Sequence, residues 1–198
     1  MLFSLLSDGV PNSLSRQITG DASSGIMVLH PYAGSGTSGP TSTASIMPVS
    51  AIAAGQTYFI SNVGTSVIPA FTGGTLQVDT MGQVYGQNFT LDGSTNNRLD
   101  QRGNSALLSG ILSDASPGTP GQITIANSES GGRIILTGAN TYTGPTNVEA
   151  GAMLVVNGSI VSPVIAGGVL GGTGMVGTTT ISNGGVLAPG NSIGTINV

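Results

Sequence analysis

Residues 136–198 read LTGANTYTGPTNVEAGAMLVVNGSIVSPVIAGGVLGGTGMVGTTTISNGGVLAPGNSIGTINV, with short apolar or β-branched pairs every five or six residues. The last four pairs are Val169-Leu170, Met175-Val176, Thr180-Ile181 and Val186-Leu187. Three such intervals make about 17 residues, and a Gly-Gly-x-Leu sequence begins at both Gly167 and Gly184, seventeen positions apart. A three-sided coil of parallel strands needs one short strand and one tight corner per side. The stretch therefore predicts a β-solenoid.

The composition supports this fold class. Glycine supplies 33 of the 198 residues, but without the strict period of three that collagen requires. The chain is 38% hydrophobic and only 6% charged, which is the opposite of a disordered sequence. We therefore expect glycine to form tight corners, and Val, Ile, Leu and Thr to fill a narrow interior.

Charge and cysteine content exclude some classes of function. The net charge is −4, with four Arg, no Lys and no basic cluster, so a nucleic-acid partner is not expected. Cysteine is absent, so stability must come from backbone hydrogen bonds and stacked side chains. The uncharged run 160–177 is rich in Gly and contains Pro163, which does not favour a membrane helix.

The chain divides by pattern into an irregular first part and a strand-rich remainder. Residues 1–50 include the small polar run 34–45, flanked by the short apolar segments 26–29 and 46–49. We interpret 1–50 as a linker or a cap, since a solenoid end exposes unpaired backbone that must be covered. Residues 51–132 and 133–198 are predicted to be solenoid coils.

Strand signals separated by turn signals continue through the middle of the chain, and none shows a helical period. The predicted strands are 57–60, 66–68, 75–78, 88–91, 106–108, 122–126 and 133–136. Residues alternate between apolar and polar most clearly in Thr75-Leu76-Gln77-Val78 and Gln122-Ile123-Thr124-Ile125. The predicted fold class is therefore all-β throughout.

Two adjacent segments carry a resemblance to a known family. The segment LTGANTYTGPTNVEAGAMLVVNG (136–158) resembles the passenger-associated transport repeat of bacterial autotransporters, and GGVLAPGNSIGTINV (184–198) resembles the coil that follows it. Together the resemblance covers residues 133–198, about a third of the chain. It implies a right-handed parallel β-helix, exported by type V secretion to the surface of a Gram-negative bacterium. The outer-membrane translocator barrel of such proteins is absent from this sequence, so we expect a passenger fragment.

The densest charge cluster is a candidate chemical site. Asp92, Arg98, Asp100 and Arg102 lie within eleven positions, and some β-helix enzymes use grouped carboxylates on glycans. The simpler interpretation is that Asp92-Gly93 forms a turn. Arg98, Asp100 and Arg102 would then alternate onto one face as a surface ion network. We favour this structural interpretation.

Other residues give no evidence for a catalytic, cofactor or metal site. The one histidine, His30, lacks a nearby acidic or Ser partner, and neither a metal-binding spacing nor a GK[ST] sequence occurs. The glycines of GGTGMVG (171–177) are predicted to form corner turns. The aromatic residues do not define a sugar-binding row, and interior stacking is expected; they are Tyr58, Phe59, Phe71, Tyr85, Phe89 and Tyr142.

Three functional hypotheses remain from the sequence. The first is a non-enzymatic structural or adhesive passenger, bound to a host surface or glycan, whose repeat region supports folding and secretion. The second is a self-associating rod in a biofilm or filament, because the weakly charged surface lacks the charges that normally block strand pairing. The third is a glycan-processing enzyme that uses Asp92, Arg98 and Asp100. We favour the first, with neither cofactor nor metal.

Overall fold

The computed structural model describes residues 49–64 and 66–190, together with the short strands β1 (Ile18–Thr19) and β2 (Val28–Leu29). The chain forms two compact units, Met1–Met47 and Pro48–Val198. In the first unit β1 and β2 pair antiparallel, with Ile18 opposite Leu29. Strand β2 falls within the predicted segment 26–29. His30, the run 34–45 and residues 46–48 lie outside the described residues.

In the described part of the second unit, the regular secondary structure is short strands and a 3-10 helix at Ile60–Asn62. Its strands are β3 (Ala51–Ala53), β4 (Thr57–Phe59), β5 (Ala70–Thr72), β6 (Thr75–Gln77), β7 (Gln83–Tyr85), β8 (Phe89–Leu91), β9 (Arg98–Asp100), β10 (Ser105–Leu108), β11 (Leu112–Asp114), β12 (Ile123–Ala126), β13 (Arg133–Leu136), β14 (Ala139–Asn140), β15 (Thr146–Val148), β16 (Met153–Val156), β17 (Ser159–Ile160), β18 (Val164–Ala166), β19 (Val169–Gly172), β20 (Thr179–Ile181) and β21 (Val186–Pro189).

These strands form three parallel faces. Face 1 contains β3-β5-β8-β11 and then the pair β14-β17, face 2 contains β4-β6-β9-β12-β15-β18-β20, and face 3 contains β7-β10-β13-β16-β19-β21. The chain visits the faces in the order 1, 2, 3, so each circuit is one coil. The seven strands of face 2 define coils 1 to 7. Coil 7 reaches face 1 through Met175, which is bridged to Ser159. The predicted all-β, three-sided parallel solenoid is confirmed.

The core is a set of apolar columns running through the coils. In face 2, Tyr58 pairs with Leu76, Leu76 with Leu99, and Leu99 with Ile125, and all four side chains are buried. In face 3 the column Ile134, Leu154 and Leu170 is fully buried. Because strand residues alternate in direction, every second residue points inward and stacks on its counterpart in the next coil.

Coil length varies along the solenoid. Leu154 pairs with Leu170 and Leu170 with Leu187, which gives spacings of 16 and 17 residues. Ala106 pairs with Ile134, a spacing of 28 residues. The additional residues form longer corners at 115–122 and 127–132, while the strands β10 to β13 keep three or four residues. The predicted 17-residue period thus holds only for the last coils.

Six of the seven predicted strands are confirmed, with boundaries shifted by at most one residue. The prediction at 66–68 is wrong: this segment lies outside any strand, and Ile68 is 58% exposed before Pro69. Proline cannot donate to a strand ladder, and it restricts the residue before it. The missed strands are three residues long and often carry one apolar inward residue; they are β3, β5, β7, β9 and β11.

Candidate functional site: polar contacts between the coils

Residues 136–156 join coils 4, 5 and 6 through buried side chains. The apolar residues Leu136, Val148, Leu154 and Val156 face inward and are almost completely buried. Polar residues are buried among them, and each such group must find a hydrogen-bond partner inside the protein. Their partners define how one coil is fixed to the next.

Asn140 connects three successive coils. Its Oδ1 accepts a hydrogen bond of 2.9 Å from the Leu112 N–H of coil 4. Its Nδ2 donates to the carbonyl oxygens of Gly138 in coil 5 and Ser159 in coil 6, both at 3.0 Å. Face 1 is interrupted between β11 and β14. The Asn140 amide therefore takes the place of a missing backbone ladder bond.

A chain of three hydroxyl groups lies in the core beside Asn140. The Tyr142 hydroxyl is 2.5 Å from Thr146 Oγ1, which is 2.9 Å from Ser162 Oγ in the next coil. All three residues are fully buried. Burial raises the pKa of Tyr142, and its hydrogen bonds to Thr146 and Ser162 only partly oppose this. Tyr142 is therefore a neutral structural residue, in agreement with the expectation of interior stacking.

Four glycines form a column at the corner between faces 3 and 1. They are Gly110, Gly138, Gly158 and Gly174. A Cβ on Gly138 would overlap the carbonyl oxygen of Gly110, and one on Gly158 would overlap that of Gly138. The same relation holds between Gly174 and Gly158. The coils approach so closely here that no side chain fits.

Asn97 has an equivalent role in coils 2 to 4. Its Oδ1 accepts from Gly73 N–H at 2.7 Å, and its Nδ2 donates to the Asp92 and Gln122 carbonyl oxygens, both at 3.1 Å. The residue is fully buried. Sequence analysis missed it because Asn97 lies in the polar run DGSTNNR, which reads as an exposed turn.

The predicted ion network of Arg98, Asp100 and Arg102 is wrong in its partners. Among the described residues, Arg98 forms a paired contact of 2.7 and 2.8 Å with Glu149, two coils later. Arg102 pairs with Glu129 at 3.3 Å. Parallel stacking explains both pairs, because it brings residues of different coils together while neighbours along a strand stay apart.

Asp100 is instead held by neutral donors. Its Oδ1 accepts from the N–H groups of Ser128 and Arg102 at 2.9 and 3.0 Å, and its Oδ2 accepts from Gln77 Nε2 at 3.0 Å. Burial alone would raise the pKa of Asp100, but the hydrogen bonds from Ser128, Arg102 and Gln77 together lower it. Asp92 forms the predicted turn, where its Oδ1 accepts from Ser94 N–H at 2.9 Å.

The remaining candidates take structural positions. Phe71 and Phe89 pack against each other in the core, with ring centroids 5.6 Å apart and ring planes tilted by 55°. Phe59, in contrast, is partly exposed beneath the Arg102 guanidinium. The run 171–177 includes the end of β19 and the turn to Met175. Within the described part of the chain, we find no group of three or more acidic or histidine side chains that could hold a metal. In the same residues, helices of the length and apolarity needed to cross a membrane are absent.

A family comparison matches this region directly. Residues 130–155 match the model of the passenger-associated-transport-repeat. The chain contains an autotransporter passenger repeat. The predicted resemblance to this repeat is therefore confirmed. The matched residues of the passenger repeat include the buried Asn140, Tyr142 and Thr146 and the column glycine Gly138.

A curated relative supports the same assignment. The chain is 44% identical over 69 residues to an extracellular serine protease of Serratia marcescens. This segment is 34% of the present chain and 6% of that protease, so the chain spans only a small part of the relative's length. No solved structure matches the chain. The two matches indicate a secreted or cell-surface passenger of a Gram-negative bacterium.

Proposed function

We propose that the chain is a non-enzymatic passenger segment whose repeat coils act as a folding scaffold during secretion. The rest of the solenoid provides a rigid structural or adhesive surface outside the cell. The observation that supports this proposal is the position of Asn140, whose amide joins coils 4, 5 and 6.

The contacts of Asn140 make the folding of neighbouring coils interdependent. The Leu112 N–H of coil 4 gains its partner only when coil 5 is in place. The Nδ2 of Asn140 reaches Ser159 only when coil 6 is in place. An unsatisfied buried donor or acceptor costs about 1–3 kcal/mol, so each added coil relieves a penalty left by the one before. Sequential folding outside the cell would then oppose backward movement of the chain.

Surface display of the whole passenger provides the test. The chain, fused to an autotransporter translocator, is compared with Asn140→Leu and with the matched control Asn147→Leu. Asn147 is partly exposed on face 2, and the described residues offer its side chain no hydrogen bond. We expect Asn140→Leu to reduce the protease-accessible passenger on intact cells severalfold while Asn147→Leu does not. Equal display of the two variants would refute the scaffold role.

The proposal assigns no catalytic activity to the chain. The similar Serratia protein is a serine protease, but the match covers 6% of it. The carboxylate of Asp100 is occupied by three donors of the chain itself, which argues against its use as an acid or base on glycans. Turnover of a polysaccharide that is lost in Asp100→Asn would favour the enzymatic alternative.

We also propose self-association of the solenoid as a second function. After Glu149 the sequence contains no charged residue. Val161, Ile165, Met175 and Val186 in this part are all exposed apolar side chains. These side chains lie on different faces of the last coils, where no charged side chain opposes strand pairing with another copy. Light scattering should show concentration-dependent assembly that Ile165→Lys with Val186→Lys abolishes. A chain that stays monomeric at all concentrations would exclude this function.

A further inference from the structure

Two Asn-Gly pairs in the last coils have opposite environments. They are Asn157-Gly158, between β16 and β17, and Asn183-Gly184, between β20 and β21. Asparagine is thermolabile, and it is most labile before glycine. There the unhindered backbone nitrogen can attack the side-chain amide carbon. The attack requires a backbone N–H that is free to leave its hydrogen bond and a side-chain amide that can turn toward it.

Asn157 is held in a form that cannot react without local opening of the structure. The Gly158 N–H that would attack donates to the carbonyl oxygen of Leu136 at 3.0 Å. The side-chain Oδ1 of Asn157 accepts from Thr173 N–H at 3.2 Å in the next coil. Both reacting groups of this pair are therefore tied to neighbouring coils, and local unfolding must precede the attack.

Asn183 lacks these restraints. It occupies a tight turn closed by the 2.8 Å bond from Gly185 N–H to the Ser182 carbonyl oxygen. The residue is exposed, and Gly184 has φ +85° with nothing within 4 Å of the position of a Cβ. Among the described residues, neither Gly184 N–H nor the Asn183 side chain has a hydrogen-bond partner.

We propose that Asn183 is a site of spontaneous deamidation in the folded protein, whereas Asn157 is protected. The Gly184 nitrogen forms a bond to Asn183 Cγ, the Cγ–Nδ2 bond breaks, and Nδ2 leaves as ammonia with the proton from Gly184. Water then opens the resulting succinimide at either carbonyl, which yields aspartate or isoaspartate. The only co-reactant is water, and no oxidation or reduction occurs.

The product changes the chemistry of the last coil. Residues 150–198 contain no charged side chain, so the new carboxylate is the first charge in this part of the chain. Isoaspartate also lengthens the main chain by one carbon in the turn that leads into β21. The pairing of Val186 with Val169 begins two residues after Gly184, so this product loosens the start of β21.

The test compares both sites within one molecule. The full chain is incubated at mildly alkaline pH, and peptide mapping measures the gain of about one dalton per deamidated site. We expect Asn183 to convert at least about ten times faster than Asn157, which corresponds to about 1.4 kcal/mol of additional local opening energy at Asn157. In urea the two sites should convert at similar rates, because both are followed by glycine.

Two variants test the assignment of the fast and slow conversions to Asn183 and Asn157. Asn183→Gln should abolish the fast mass gain and leave the slow conversion of Asn157 unchanged. Thr173→Val removes the 3.4 Å bond from Thr173 Oγ1 to Asn157 Oδ1 but keeps the bond from Thr173 N–H. It should accelerate that site only slightly, since the bond of Gly158 N–H remains. Comparable rates at both sites in the folded chain would overturn the proposal. So would a folded chain in which neither site converts although both convert in urea.

Discussion

The hydroxyl of Tyr142 lies 2.5 Å from that of Thr146, in a part of the core where both side chains are fully buried. The Thr146 hydroxyl is in turn hydrogen-bonded to the hydroxyl of Ser162 in the following coil. The passenger repeat thus places a polar link inside an otherwise aliphatic interior. A buried link of this kind stabilises only while every member has its partner.

Removing the middle hydroxyl should therefore cost more than removing an exposed one. Thr146→Val leaves the hydroxyls of Tyr142 and Ser162 without their shared partner, and we expect a loss of about 1–3 kcal/mol in the free energy of unfolding. Thr141→Val is the control, because Thr141 is exposed, and a change within about 0.5 kcal/mol is expected. Urea unfolding measures both, and equal losses would contradict the role of the hydroxyl chain.

The glycine column predicts that the effect of a Gly→Ala substitution on stability depends strongly on its position. Gly138→Ala should destabilise the protein by about 1–3 kcal/mol or more, because the new Cβ overlaps the Gly110 carbonyl oxygen. At Gly86 a Cβ would be 3.8 Å from Ser109 Oγ, and φ is outside the left-handed region. Gly86→Ala should thus be neutral or stabilise by up to about 1 kcal/mol. Thermal melts of both variants check this, and a tolerated Gly138→Ala would show that the coils are not in close contact.

Asp100 should make the free energy of unfolding depend on pH. Burial raises its pKa, but the hydrogen bonds from Ser128, Arg102 and Gln77 lower it below the ordinary value of about 3.9. A carboxylate with a lowered folded pKa contributes stability above the unfolded pKa, and this contribution is lost as the pH falls through the folded pKa. Urea unfolding from neutral pH downward should show this loss below about pH 4.

The variant Asp100→Asn isolates that contribution. It should be less stable than the parent chain at neutral pH and should approach it in acid. Asp114, whose pKa is lowered by the N–H groups of Thr143 and Gly121 against the opposing effect of burial, remains in both proteins. The acid slope that persists in the variant is therefore assigned to Asp114. A constant difference between the two proteins at all pH values would rule out the assignment to Asp100.

The contact between Arg98 and Glu149 should contribute little despite its good geometry. About two fifths of each side chain is exposed, and exposed ion pairs contribute about 0–1 kcal/mol. A double-mutant cycle with Arg98→Gln and Glu149→Gln should give a coupling of this size that decreases with added salt. A coupling above about 2 kcal/mol would mean that the pair organises coils 3 to 5.

The sequence predicted the features that repeat locally, which are the strands and the apolar columns. It did not predict the contacts between residues that lie far apart along the chain. Columns such as Leu154 and Leu170 follow from the alternation of apolar residues, and the passenger repeat was visible in its order of Leu, Gly, Asn and Tyr. The partners of Arg98 and Asn140 were not predictable, because coil lengths vary from 15 to 28 residues and this variation sets which side chains meet. Buried asparagines are especially difficult to recognise, since their residue type also favours exposed turns.

The longer corners show that extra residues in this solenoid extend outward from a coil and do not disturb the stacking of the strands. Residues 115–122 widen one coil, yet β11 still pairs with β8 and β12 with β9 in register. A foreign peptide grafted between Pro117 and Pro120 would therefore project from the side of the stack without displacing the strands. The solenoid could therefore carry grafted epitopes. The corner that receives the graft sets its position, and the distance between coils sets the spacing of successive grafts.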